Sequence, residues 1–166
     1  MNTPTLFPID TPAPKAGKHP YTLPAYTVKL VREGSVKMHD REPTSNPQAA
    51  VSMFWGMMES EPGELFAACY LDAKNRPIAV MALSRGTVDG TAVYPRDVAR
   101  AALMHNAVSV VVAHNHPSGD PHPSEEDNTL TKALKGTLKG LDITLADHLV
   151  IGDGERYYSF RENGAL

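Results

Sequence analysis

Apolar and polar positions change rhythm several times along this chain, and each change marks a new element. Tyr26 to Val31 alternate with the two-residue period of a half-buried strand. Ser45-Asn46-Pro47 has the form of a helix start, proline being favoured at the first helical position. Ala50, Met53, Phe54, Met57 and Met58 follow at helical spacing, a methionine-rich face suited to filling a core. Leu65 to Leu71 and Pro77 to Leu83 predict two strands, and the polar turn Asp72-Ala73-Lys74-Asn75 between them predicts a hairpin. Pro95 to Asn106 predicts a second helix. Val108 to Ala113 is an uninterrupted apolar run, the pattern of a buried central strand. A third helix is expected after Ser124, with Leu130, Leu134, Leu138 and Leu141 as its apolar stripe and Lys132, Lys135 and Lys139 off it. A strand Asp147 to Ile151, a turn Gly152-Asp153-Gly154 and a strand Tyr157 to Phe160 close the chain. This order predicts an α/β fold, a mixed sheet with helices on its faces.

Composition narrows the picture to one domain. At 166 residues, 42% hydrophobic and 21% charged, the chain can bury a single core. That domain is expected over residues 26–166. Residues 1–25 contain Pro4, Pro8, Pro12, Pro14, Pro20 and Pro24 among few large apolar groups, and such a segment does not repay its ordering entropy. A disordered tail is expected there. The single cysteine, Cys69, rules out an intrachain disulfide and fits a reducing compartment. Its place inside Phe66 to Leu71 predicts a buried strand residue rather than a nucleophile. A net charge of −3 provides no broad basic field, so strong non-specific nucleic-acid binding is not expected. No apolar stretch is long enough to span a membrane, and residues 1–25 lack the apolar region of a signal peptide. Cytoplasm is the default expectation.

The run from His114 to Asp127 carries the chemistry. His114 and His116 stand two residues apart, Asp127 follows eleven residues after the second, and Ser124 stands three before it. Two imidazoles and a carboxylate suit a zinc ion with one open position. Alternation along a strand puts His114 and His116 on one side as the chain leaves the sheet. Asp127, in the first turn of the helix after Ser124, can turn back toward them. Plainer roles stand beside this one. Ser124-x-x-Asp127 has the form of a helix capping box, with Asp where Glu or Gln is usual, and histidine beside Pro-Ser-Gly suits an exposed turn. His122 lies outside the pattern and would close the open position, so it is expected at the rim with Ser118 and Asp120. His19, His39 and His105 lack ligand spacing and are expected at the surface or in packing.

The spacing His-x-His, seven residues, Ser, two residues, Asp resembles the JAMM motif of JAB/MPN-domain metalloproteases. The wording His-Asn-His-Pro-Ser-Gly-Asp-Pro-x-Pro-Ser-x-x-Asp is closer still to the RadC-like branch of that superfamily. Gly86-Thr87, Tyr94-Pro95-Arg96-Asp97-Val98, His105-Asn106-Ala107 and Asp147-His148-Leu149-Val150-Ile151-Gly152 resemble further landmarks, so the likeness covers roughly residues 26 to 166. No helix-hairpin-helix module precedes it in this sequence, and the chain resembles the shorter, stand-alone form. The resemblance implies an α/β/α sandwich, of the sheet class that zinc deaminases share. It also implies Zn²⁺ on His114, His116 and Asp127, and hydrolysis of a peptide or isopeptide bond in a peptide or protein substrate.

A zinc peptidase also needs a carboxylate that is not a ligand. In JAMM proteins it lies where the first long helix gives way to the first core strand, and Glu59, Glu61 and Glu64 stand there. Glu64-Leu65-Phe66 before Tyr70-Leu71-Asp72 resembles the Glu-x-Phe of RadC-like sequences, so Glu64 is expected, with Glu61 the alternative. By the same resemblance, Ser124 polarises the substrate carbonyl and stabilises the oxyanion. Asp147 and His148 match the family's Asp-His pair and are expected to support the ligands or the fold. Arg96, after Pro95 at a helix start, is a substrate or structural anchor. Rival functions are a DNA-repair or DNA-processing role of the RadC type and a non-catalytic JAB scaffold. The literal His114-Asn115-His116 does not imply an HNH nuclease, whose named residues are spread over a hairpin and helix. A zinc deaminase needs Pro-Cys-x-x-Cys, which one cysteine cannot supply.

Overall fold

Strand β1, Leu65–Leu71, is buried at all seven positions. Its sequence therefore shows no alternation, because both faces of the sheet are covered there. It lies between β2 (Pro77–Arg85) and β3 (Ser109–Asn115), antiparallel to both. β3 pairs in parallel with β4 (Thr144–Ile151), and β5 (Tyr157–Ser159) runs antiparallel to β4. The strand order is β2-β1-β3-β4-β5, a mixed sheet. A parallel step needs a crossover, which helix α3 (Glu125–Lys139) supplies.

The computed structural model describes residues 47–86 and 93–166, together with Pro24, Thr27, Leu30, Val31, Arg32 and Gly34. The chain divides into residues 1–31 and 32–166, and the described residues of the first unit are all exposed. The tail expected over 1–25 lies outside the described residues except Pro24, and the strand expected over 26–31 except Thr27, Leu30 and Val31. Ser45 and Asn46 lie outside them too, whereas Pro47 begins α1 (Pro47–Met58) as predicted.

Helix α1 packs on one face of the sheet. Ala50, Val51, Phe54 and Met58 meet Leu65, Ala67, Cys69 and Leu71 of β1, with Val111, Ala113, Leu149 and Ile151 beside them. Helices α2 (Pro95–Met104) and α3 cover the other face, where Val98, Ala102, Leu134 and Leu138 meet Phe66, Ala68, Tyr70, Val110 and Val112. The result is three layers, helix on sheet on helices. No described helix is long and apolar enough to cross a membrane.

Element ends depart from the predictions where the backbone turns left-handed. Asn106 (φ 51°) stops α2 at Met104, two residues before the expected end, and the Ala107 N–H bonds Ala102 O at 2.9 Å. Asp142 (φ 57°) ends the α3 region in the same way, with the Ile143 N–H on Leu138 O at 3.0 Å. Leu141 therefore leaves the apolar stripe and is 41% exposed, while Thr131 is buried beside Leu134 and Leu138. Val108 is also exposed, so the buried run begins at Ser109 and continues through His114 and Asn115. A 3₁₀ turn, Asp153–Glu155, replaces the simple turn expected there.

Cys69 faces α1 in this core, and burial pushes its thiol up to about 12. A thiolate is the reactive form. A thiol-alkylating reagent at neutral pH should therefore leave the native protein unmodified and label it stoichiometrically once denatured, as read by mass.

Candidate metal centre

β3 delivers the first histidine. Val110 and Val112 face α2 and α3, and alternation turns His114, 1% exposed, to the same side. His116 follows just past the strand, its N–H bonding Ile151 O at 2.9 Å. The chain then reverses through Pro117-Ser118-Gly119, closed by the Gly119 N–H on His116 O at 2.9 Å. Gly119 has φ 78°, and a Cβ there would run into the Asp153 carboxylate. Its carbonyl accepts from the Asp153 N–H at 3.1 Å and from Arg156 Nη2 at 2.9 Å, fixing the loop to the β4–β5 turn. This turn brings Asp120 O to 2.8 Å from His116 Nδ1. A carbonyl only accepts, so Nδ1 carries the proton and Nε2 of neutral His116 is bare.

α3 delivers the carboxylate. Ser124 caps the helix: its Oγ accepts from the Asp127 N–H at 3.1 Å, and Asp127 Oδ2 accepts from the Ser124 N–H at 2.7 Å and from the hydroxyl at 2.6 Å. The capping box read in the sequence thus forms, and it also aims Asp127. Asp127 Oδ1 lies 3.0 Å from His114 Nε2, Oδ2 lies 3.5 Å from His116 Nε2, and the two Nε2 atoms are 3.1 Å apart. One donor atom from each of the three residues falls within 4.8 Å of the others. Ligand bonds of 2.0–2.2 Å in a tetrahedral shell would set donors roughly 3.3–3.6 Å apart, inside the 4.8 Å that encloses this set. Burial opposes ionisation of Asp127, but His114, His116 and Ser124 together outweigh it and hold its carboxyl well below the usual carboxylate range. Protonated His116 turns an Nε2–H toward Asp127, which raises its pKa against burial, and the charge of Glu64 adds to the rise. Facing electron-rich donors of this kind fit a cation. His114, His116 and Asp127 can hold a metal ion.

Glu64 stands at the entrance to β1 with a half-buried side chain. Phe66 pairs with His114 in the β1–β3 ladder and stacks on its ring at 6.1 Å, and Glu64 stands two residues earlier, near enough for its charge to act on His116. Its flanks are fixed. Asn115 Oδ1 accepts from the Leu65 N–H at 2.7 Å, Asn115 Nδ2 donates to Gly63 O at 3.1 Å, and the Gly86 N–H bonds Glu64 O at 2.7 Å. Sequence reasoning passed over Asn115. Its place between the histidines carried no local signal, because the register of β1 against β3 is what brings it to the segment that carries Glu64. Glu61, the alternative, instead forms an ion pair with Arg85.

The remaining candidates fall outside the donor group. His122 is exposed and bonds Asp120 Oδ1 through Nδ1 at 2.6 Å. His105 stacks on Tyr70 at 5.3 Å, as packing predicts, while His19 and His39 lie outside the described residues. The Arg96 guanidinium sits 4.8 Å over the Tyr94 ring, a local structural contact. Asp147 braces the sheet: Oδ1 accepts from the His148 and Arg161 N–H groups at 2.8 and 3.0 Å, and Oδ2 accepts from the Ser159 hydroxyl at 2.6 Å. Burial pushes its carboxyl up against those bonds. His148 is fully buried, stacked on Phe160 at 4.9 Å, with Nε2 3.0 Å from His114 Nδ1. Burial, with His114 beside it, holds its pKa well below the ordinary histidine value.

Residues 44–165 match the family described as the RadC-like JAB domain. A UPF0758 protein of Xanthomonas euvesicatoria pv. vesicatoria (strain 85-10) is 42% identical over 165 residues, covering 95% of this chain and 73% of the relative. A UPF0758 protein of Janthinobacterium sp. (strain Marseille) is 48% identical over 122 residues, 74% of this chain and 54% of the relative. One of Pseudomonas putida (strain W619) is 44% identical over 110 residues, 66% of this chain and 49% of the relative. The matched region thus spans between about half and three quarters of these relatives' length.

Proposed function

The chain belongs to the RadC-like JAB domain family, and from that premise we propose that it is a zinc-dependent hydrolase that cuts a peptide or isopeptide bond. The observation that carries this reading is the meeting of His114, His116 and Asp127 donor atoms within 4.8 Å, with the charge of Glu64 acting on His116. Two imidazoles and one carboxylate suit zinc and leave a coordination position open. When bound, zinc supplies Lewis acidity, lowering the pKa of water and polarising a carbonyl.

The chain's own residues do the rest. Glu64 takes the proton of the attacking water and returns it to the leaving nitrogen. The Asn115 clamp on Gly63 and Leu65 holds the main chain that carries this carboxylate. Ser124 points its hydroxyl proton at Asp127 Oδ2, 2.6 Å away, and a turn about its side chain directs that proton to the oxyanion. The resemblance of the motif to that of JAB/MPN metalloproteases supports the bond class.

The test uses the full chain loaded with zinc and a panel of quenched fluorescent peptides and isopeptide-linked peptides. Cleavage is expected, lost on chelation and restored by zinc. A protein that cuts no member of the panel yet nicks DNA in a chelator-sensitive way, or binds random duplex far more tightly than the roughly 10⁻⁴–10⁻⁶ M of ordinary non-specific binding, would replace this reading with a DNA-processing one. A zinc-loaded protein inert in every assay would point to a scaffold.

A further inference from the structure

We infer that Thr131 and His148 form a hydrogen-bond chain that sets the proton of His114 on Nδ1 and leaves its Nε2, the nitrogen beside Asp127, for a metal. The hydrogen-bond chain starts at the main chain of Asp127. Thr131, one helical turn later and buried, has its hydroxyl 2.6 Å from Asp127 O and 2.6 Å from His148 Nδ1. A carbonyl oxygen has no proton to give, so the single hydroxyl proton goes to Asp127 O. The hydroxyl therefore presents a lone pair to His148, and His148 Nδ1 must bring the proton to that contact. A neutral imidazole carries one N–H. His148 Nε2 is then bare, and it faces His114 Nδ1 at 3.0 Å. That contact also needs a proton, which only His114 can supply. Its Nδ1 is the donor, which leaves Nε2, 3.0 Å from Asp127 Oδ1 and 3.1 Å from His116 Nε2, as the ring atom for a metal.

The opposite setting fails at both ends. It would put His148 Nε2–H against His114 Nδ1, driving the His114 proton onto Nε2, where it would block the donor position. It would also take the Thr131 proton away from Asp127 O. His148 and His114 are 0% and 1% exposed, and Phe66 and Phe160 pack their rings around His148, so bulk water is not at hand to relieve a wrong tautomer. Asp127 thus acts twice: its carboxylate is a candidate ligand, and its carbonyl sets the proton of another ligand through two intervening side chains. His148 and Thr131 are positioning residues, and their use in this site rests on the metal reading proposed above.

The experiment is nitrogen-15 NMR of histidine-labelled protein, in which two-bond proton couplings identify the protonated ring nitrogen. In zinc-free wild type, His148 should show the Nδ1–H form and His114 should carry a proton on Nδ1. An Nε2–H form at His148 would overturn the hydrogen-bond chain with no metal involved. Thr131→Val keeps the shape and removes the acceptor. It should mix the tautomers of both histidines and weaken zinc binding by about 10–100-fold, while Thr131→Ser should restore both. Unchanged tautomers and zinc affinity in Thr131→Val would overturn it as well. Should that variant not fold, the wild-type spectrum alone decides. Wild type that shows the predicted tautomers but binds no zinc would retain the hydrogen-bond chain and remove the metal reading.

Discussion

Alanine in place of His116 should strip the protein of its zinc. Wild type is expected to carry about one equivalent, because the chain gathers one three-donor set among its described residues. Losing His116 leaves His114 and Asp127, two donors where a stable zinc site with an open position uses three. The side chain is 20% exposed and lies just beyond β3, so its removal should spare the core. His122→Ala is the control. That ring is exposed and paired with Asp120, so the variant should keep the wild-type zinc content. Elemental analysis after dialysis reads the outcome, with thermal melts of the zinc-free proteins to separate ligand loss from unfolding. Equal zinc in wild type and both variants would remove His116 from the ligand set.

Glu64→Gln should cost about 10²–10⁴-fold in turnover on any substrate that wild type cleaves. That range corresponds to roughly 2.7–5.5 kcal/mol of lost barrier reduction. Glutamine keeps the size and hydrogen-bonding reach of the side chain but cannot take a proton from water at neutral pH. The variant should fold and bind zinc as wild type does, because the segment is also held through its main chain, by the Gly86 N–H on Glu64 O and by Asn115 on either side. Glu61→Gln should stay near wild-type activity, since Glu61 is turned to Arg85. Full activity in Glu64→Gln, or matching losses in the two variants, would defeat the assignment. Zinc content measured on the same preparations shows whether a loss is chemical or a loss of metal.

Much of this protein was legible in its sequence because local rules governed it. The buried run around Val110 to Ala113, the hairpin about Asp72 to Asn75 and the helix opening at Ser124 follow from periodicity, turn chemistry and capping, each set by residues within about four positions. The pairing of His114 with His116 is likewise local, a consequence of two-residue alternation. Leu141 departs from the expected stripe because periodicity continues past the point where a left-handed Asp142 ends the helical region, and that closure depends on Ile143 reaching back to Leu138.

Tertiary structure decided what surrounds the ligands. Asn115 reaches Gly63 only because β1 docks antiparallel against β3 in a register that sets Phe66 opposite His114. His148 reaches His114 only because β4 lies parallel to β3 with His148 opposite Val112, across 34 residues of chain. Thr131 completes the contact because α3 packs over the same face. A one-residue slip in either ladder would turn these side chains to the other face while leaving every local pattern intact. The sequence by itself therefore determined which residues can act as donors, since that is a matter of residue type and short spacing. Only the packed sheet decided which partners hold them, because register is a property of two strands and is written in neither alone.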